Sequence, residues 1–168
     1  RLELVADRFS KIGSMPSISS QDIVSITNEA VSYLSARSPR KISIRLNAEG
    51  AGVGPLIVKL NKPLYEWVIE NLVRNAIDAI EGEGAIEVRV SDSGRKVVVE
   101  VEDNGKGVPP NKQKTIFRPG VTTKSRGWGL GLSLAKRIIE EYHRGRIFVA
   151  SSEPGKATIF RILLDKEE

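Results

Sequence analysis

The residues able to do chemistry concentrate between Asp103 and Leu132, in the run DNGKGVPPNKQKTIFRPGVTTKSRGWGLGL. From Asn104 to Gly131 this run carries Lys106, Lys112, Lys114, Arg118, Lys124 and Arg126, and no acidic residue. Gly127, Gly129 and Gly131 lead into a predicted helix, whose first N–H groups and dipole favour an anion. Uncompensated cations beside flexible glycines and a helix start suit a polyanion, and a nucleoside triphosphate meets that description. Asp103 ends a run of valines and can accept a hydrogen bond from an exocyclic amine, which would select adenine over guanine. Gly105 and Gly107 would let the backbone approach a flat base. Taken separately, DNG could simply begin a turn, and the later glycines could be a flexible lead into a helix. Their spacing is not a dinucleotide fingerprint, whose third glycine would fall at Leu132, and GKAT at 155–158 is not a Walker motif.

A second group lies on a helix predicted over 62–81, with Asn61 as N-cap and Pro63 in the first turn. Glu70, Asn71, Arg74, Asn75, Asp78 and Glu81 fall on one polar stripe of that helix. An amphipathic helix with a solvated face explains such a stripe. Yet each Asn or Asp costs about half a kcal/mol of helix propensity against Ala, and Glu or Lys would serve solubility better. Asn71 and Asn75 place two amide oxygens one turn apart, and such oxygens suit Mg²⁺ that takes its other ligands from phosphates and water.

The remaining elements must position these groups. A strand is expected at 41–46, another at 55–60, a hairpin of 85–90 and 96–103 across SDSG, and a last antiparallel pair of 146–151 and 157–164 across EPG. Helical spacing covers 1–11, with a break at Gly13 and Pro16, then a helix from a Ser20 cap to about Arg37. A further helix runs from Gly129 to about His143. Strands in pairs with helices between them predict an α+β fold, a mostly antiparallel sheet with helices on one face. At 168 residues the chain is one domain with a short appendage. It has no cysteine and hence no thiolate metal site, which fits a reducing cytosol. No apolar run approaches a membrane span of about 18 residues. Beginning inside a helical pattern suggests a segment of something longer, whose parent can be membrane-anchored. The net charge of +5 lies largely in the glycine-rich run, and aromatic residues are only 5%, which argues against nucleic acid.

The ordered set resembles the GHKL (Bergerat-fold) ATPase superfamily, and within it the catalytic ATP-binding domain of a two-component sensor histidine kinase, over about residues 20–165. ENLVRNAIDA (70–79) resembles the N box, which implies Asn75 as Mg²⁺ ligand, Asn71 near the phosphates and Asp78 on the same stripe. DNGKG (103–107) is similar to the G1 box, implying Asp103 on the adenine amine with Gly105 and Gly107 beside the base. IFRPG (116–120) resembles the F box, with Phe117 anchoring an ATP lid. GWGLGL (127–132) is similar to the G2 box, implying the backbone of Gly127, Gly129, Leu130, Gly131 and Leu132 around the phosphates. GKATIF (155–160) resembles the G3 box, with Thr158 near adenine, and VTTK suggests a short lid with Lys124 near the β/γ-phosphates. The implied fold is a two-layer α/β sandwich, a mixed sheet on three helices.

Two positions depart from the family pattern. Ala157 replaces the second G3 glycine, which could tighten that turn. Asn71 stands where hydrolysing relatives have Glu. Hydrolysis needs a base to activate water, so Asn71 argues for transfer to an imidazole of another domain. His143, the one histidine, matches an ordinary helix end and is not expected to be the acceptor. The resemblance implies ATP and Mg²⁺ as cofactors, residues 1–19 as the tail of a dimerisation helix and hinge, and 20–168 as the catalytic domain. It also implies a response regulator as partner, a homodimeric parent and a monomeric fragment. A serine kinase of the same fold and a non-catalytic binding module are the alternatives.

Overall fold

Alternation builds the sheet. In β5 (Lys96–Asp103) the residues Val97, Val99, Val101 and Asp103 all point inward, and in β7 (Ala157–Asp165) Thr158, Phe160, Ile162 and Leu164 do the same. The computed structural model describes residues 16–121 and 131–167. Along the chain these form β1 (Ser19–Asp22), α1 (Ile23–Arg37), β2 (Ile42–Asn47), β3 (Ile57–Leu60), α2 (Lys62–Ala79), β4 (Gly84–Ser93), β5, α3 (Gly131–Arg137), β6 (Arg146–Glu153) and β7. The main sheet has the order β2-β4-β5-β7-β6. Only β2–β4 is parallel, and the crossover between them contains β3 and α2, as a parallel pair requires.

Helices cover one face. Ile23, Ile26, Ala30, Val31 and Leu34 of α1, and Leu64, Val68, Ile69, Leu72 and Val73 of α2, close the core over the inward valines and isoleucines. Burying an Ile or Leu side chain of this kind stabilises the fold by about 1.5–3 kcal/mol. A buried hydroxyl pair joins the two helices, Thr27 Oγ1 to Tyr65 Oη at 2.7 Å. Burial carries the Tyr65 phenol well above its usual range, so it stays neutral and serves as a hydrogen-bonding group. The opposite face of the sheet is polar. There Arg89 reaches Glu87, Glu100 and Glu102, and Arg161 meets Glu100 at 2.7 Å.

Several boundaries differ from the expectations. Ser19–Asp22 is a strand paired with β3, and Asp22 instead of Ser20 caps α1, its Oδ1 accepting from Val24 N at 3.2 Å. The same oxygen accepts from Leu56 N, so the cap also fastens the start of β3. The second strand begins at Ile57, two residues later than expected. The β4–β5 turn is Gly94–Arg95, with Gly94 at φ 81° as a two-residue hairpin demands. Helix α2 ends at Ala79, and Gly82 at φ 78° turns the chain toward β4. The last helix is regular only to Arg137, then widens into a π-turn over Ile138–Tyr142. The expected helix at 1–11 lies outside the described residues.

Candidate functional site

Asp103 and Thr158 are the polar ends of two otherwise apolar inward columns, and they are register partners on neighbouring strands. Asp103 is 4% exposed and Thr158 2%. Burial pushes the Asp103 carboxyl up, the Gly105 N–H at 2.8 Å draws it back, and Glu102 pushes it up again. Gly105 passes so close to the end of α2 that a Cβ would strike the Ala79 carbonyl, and the Lys106 N–H bonds that same carbonyl at 2.9 Å. Gly107, at φ 79°, leaves room where a Cβ would sit 2.8 Å from Ser152 Oγ. The loop is tied again through Gly155 N to Gly105 O at 2.8 Å. Asp103, Gly105, Gly107 and Thr158 thus lie together in one small wall.

Ser152 belongs to this wall and was not foreseen. Its hydroxyl accepts from Val108 N at 2.8 Å and meets Thr158 Oγ1 at 2.9 Å. Plain alternation from Ile147 would turn Ser151 inward. A bulge between Val149 and Ser151 shifts the register by one, so Ser152 faces Thr158 instead. The signal available in the sequence was the serine pair just before the EPG turn. Ala157 pairs with Glu153 in ordinary strand geometry, and Gly155 at φ 74° makes the turn alone. The glycine missing at 157 is therefore of little consequence for that hairpin.

The second wall is α2. Asn71 and Asn75 are half-buried and Asp78 is exposed, on successive turns of one stripe. Glu70 departs from the expected stripe: it is 1% exposed, because α1, α3 and the sheet leave α2 only a narrow open face. Asn71 Nδ2 is buried and has no hydrogen-bond partner among the described residues. Its Oδ1 lies 2.5 Å from where a Cβ on Gly131 would stand, so the start of α3 sits directly on the amide. Leu132 is half-buried and packs on the core. Phe117, 7% exposed, meets Phe160 edge-on at 6.1 Å between centroids, which pins the loop after Gly107 to β7. Lys124, Gly127, Gly129 and Leu130 lie outside the described residues, as does Arg126.

No cluster of three His, Cys, Asp or Glu that could hold a metal exists among the described residues. A divalent ion here would depend on amide oxygens and on ligands brought by the nucleotide. His143 is engaged structurally. Its Nε2 accepts from Asn61 N at 3.0 Å and its Nδ1–H donates to Ile138 O at 2.8 Å. Burial lowers its pKa, and the Ile138 carbonyl draws it partly back. The neutral ring joins the start of α2 to the end of α3, and no cationic role at a helix terminus is needed.

The family model described as histidine kinase-, DNA gyrase B-, and HSP90-like ATPase matches residues 61–168. Nitrogen regulation protein NtrY of Azorhizobium caulinodans is 29% identical over 172 residues, 97% of this chain and 22% of its own length. Sensor histidine kinase ZraS of Salmonella typhimurium is 46% identical over 98 residues, 58% of this chain and 21% of its own. The chain thus spans about a fifth of the length of these curated relatives. Among solved structures, the nucleotide-free catalytic domain of histidine kinase ThkA superposes with a TM-score of 0.79 at 28% identity, covering 89% of this chain and 96% of that domain. ThkA in complex with response regulator protein TrrA gives 0.80 at 24% identity, over 99% of this chain and 46% of that one.

Proposed function

The chain belongs to the histidine kinase-, DNA gyrase B-, and HSP90-like ATPase family, as a catalytic domain of the sensor histidine kinase type; on that premise we propose that it binds ATP with Mg²⁺ and presents the γ-phosphate to a histidine of a separate dimerisation domain. The observation that carries this reading is the pairing of a buried acceptor wall with an unsatisfied amide. Asp103 is buried but hydrogen-bonded on one oxygen by Gly105 N–H, leaving the carboxylate suited to the adenine amine. On α2, Asn71 Nδ2 is a buried donor with no partner among the described residues, as a phosphate oxygen would require.

Roles follow from placement. Gly105 and Gly107 let the base lie against backbone, and Thr158 offers a hydroxyl beside Asp103. Asn71 and the amide end of α3 at Gly131 would steady the phosphates, and the family resemblance adds Lys124, Gly127 and Gly129 as further phosphate contacts. Asn75, one turn from Asn71, supplies the amide oxygen for Mg²⁺, with Asp78 next on the stripe. The ion would neutralise charge on the phosphate oxygens. In transfer, an imidazole nitrogen forms its bond to the γ-phosphorus while the bond to the bridging oxygen breaks, and ADP leaves with the electron pair. The Asn71 amide cannot act as a base toward water, which favours transfer over hydrolysis. Positioning and charge neutralisation then supply the catalysis. The acceptor hairpin, of which residues 1–19 would be the tail and hinge, and a response regulator receiving the phosphate would complete the relay. The parent would dimerise through the hairpin and lie with this domain in the cytoplasm.

Calorimetric titration with ATP and GTP, with and without Mg²⁺, tests the reading. Adenine-selective, Mg²⁺-dependent binding is expected, followed by phosphotransfer to a histidine hairpin supplied in trans. Absence of ATP binding would overturn the assignment.

A further inference from the structure

Trp67 is a polar group of α2 that the reading above leaves without a task. It is 8% exposed, and its Nε1–H is buried with no hydrogen-bond partner among the described residues. Glu70 Oε1 is also buried, three residues along the helix, yet the two atoms do not pair. A buried indole usually finds an acceptor, and an unmet N–H forfeits the hydrogen bond it made to water. Filling the core does not explain the choice of residue, because Phe offers a flat apolar ring with no donor to satisfy. An unmet buried donor points to an acceptor that the folded chain does not itself supply.

Placement says which acceptor. Trp67 and Asn71 are four residues apart on α2, so their side chains are neighbours on one stripe. The two buried side-chain donors left unpartnered among the described residues, Trp67 Nε1 and Asn71 Nδ2, therefore stand one turn apart. The helix also sets the order of a ligand lying along it. Gly105 packs on the Ala79 carbonyl, which puts the base at the C-terminal end of α2. Toward the N-terminus come Asp78, Asn75, Asn71 and last Trp67, about 18 Å from Ala79 along the axis. The part of a nucleotide farthest from the base is its terminal phosphoryl group, whose charged oxygens are acceptors. Resting on the ATP-site reading, we propose that Trp67 Nε1–H is a second donor, beside Asn71 Nδ2, to the γ-phosphoryl group, and that it distinguishes ATP from ADP. ADP ends one phosphate earlier and leaves the indole unpaired.

The test joins calorimetry of this chain and of Trp67→Phe, with ATP and with ADP, to NMR of the indole N–H signals. A hydrogen bond to a charged acceptor predicts that Trp67→Phe binds ATP about tenfold to a hundredfold more weakly, with ADP unchanged. The chain has two tryptophans, so the signal lost in Trp67→Phe is that of Trp67. In the unsubstituted chain that signal should move downfield with ATP and stay near its nucleotide-free position with ADP. If Trp67→Phe does not fold, Trp128→Phe identifies the same signal by elimination, and the indole shift decides alone. Equal losses of ATP and ADP in Trp67→Phe, or an indole signal identical in the two complexes, would mean that Trp67 only fills the core, and the proposal is overturned. A chain that binds ATP with an unmoved indole removes this proposal alone, whereas one that binds no ATP removes the site reading with it.

Discussion

The two residue groups of the candidate site are built on opposite terms. In the group around Asp103 each named polar side chain has at least one partner within the protein: Asp103 from Gly105 N–H, Ser152 from Val108 N–H and Thr158, while Gly105 O accepts from Gly155 N. On α2 a buried amide donor, Asn71 Nδ2, has no hydrogen-bond partner among the described residues. The first wall contributes to folding whether or not a nucleotide is present. The second holds an unmet hydrogen bond, a cost to the empty domain that a ligand would relieve. On the proposed reading, preorganisation for the base and cost at the phosphates would be a division of labour, in which the base sets selectivity and the phosphates return binding energy.

Substitutions can break that contrast. Asp103→Asn should weaken ATP by about tenfold to a hundredfold, since a hydrogen bond to a charged group is worth about 1.5–3 kcal/mol. Its melting temperature should barely move, and calorimetry with thermal melts reads both. An unchanged ATP affinity would sink the adenine assignment. Gly105→Ala should destabilise the empty domain by about 1–3 kcal/mol, because the added Cβ meets backbone at Ala79 that cannot step aside. Gly131→Ala meets only the end of the Asn71 side chain, so it should displace that amide, weaken ATP and leave the melt nearly intact. Equal melts for the two alanine variants would erase the distinction between the walls. Asn71→Leu sharpens it: removing a buried unpaired donor should raise the melting temperature by about 2–4 °C for each kcal/mol recovered, while ATP affinity falls. A variant both less stable and weaker in binding would contradict the contrast.

The smallest effect concerns His143, which serves neither wall directly. Its folded pKa lies below the unfolded value, so the folded state binds fewer protons there. The stability it contributes is whole above an unfolded pKa of about 6.5 and is lost as pH falls from there through the depressed folded value. Protonation puts a donor on Nε2 opposite the Asn61 N–H. His143→Gln should flatten the pH dependence of the melt across that window, and an unaltered slope would remove this role.

How much could be read from the chain beforehand varies with the physics of each part. The valine columns of β4 and β5 were legible because a strand buried on one face writes its period directly into the residues. Asp103, Gly105 and Gly107 stood out by residue type, because a carboxylate ending a valine column and a close backbone approach need those residues, whereas Thr158 was singled out only through the family resemblance. The strand Ser19–Asp22 was not, since its four polar residues carry no periodic signal and its shape comes from pairing with β3. Ser152 was hidden by a bulge, which reverses the facing of every residue after it without leaving a mark in composition. Glu70 was misread because a stripe on a helical wheel does not say how many neighbours press against the helix. The π-turn after Arg137 was invisible for a related reason: an extra residue per turn emerges only when Ile138 and Ile139 must both be buried.

Entry and exit of the folded chain share one corner. Ser20 Oγ donates to Glu167 Oε1 at 2.7 Å, Glu167 N to Ile57 O at 3.0 Å, and Lys166 bridges Val58. The base wall lies at the other end of β7, where Thr158 stands seven positions before Asp165. Tension applied through the two ends therefore enters and leaves at the β1–β3 ribbon and the tail of β7. The nucleotide cleft is outside that load path. Under force the domain should yield first by peeling β1 from β3, with the cleft still shaped to hold its ligand.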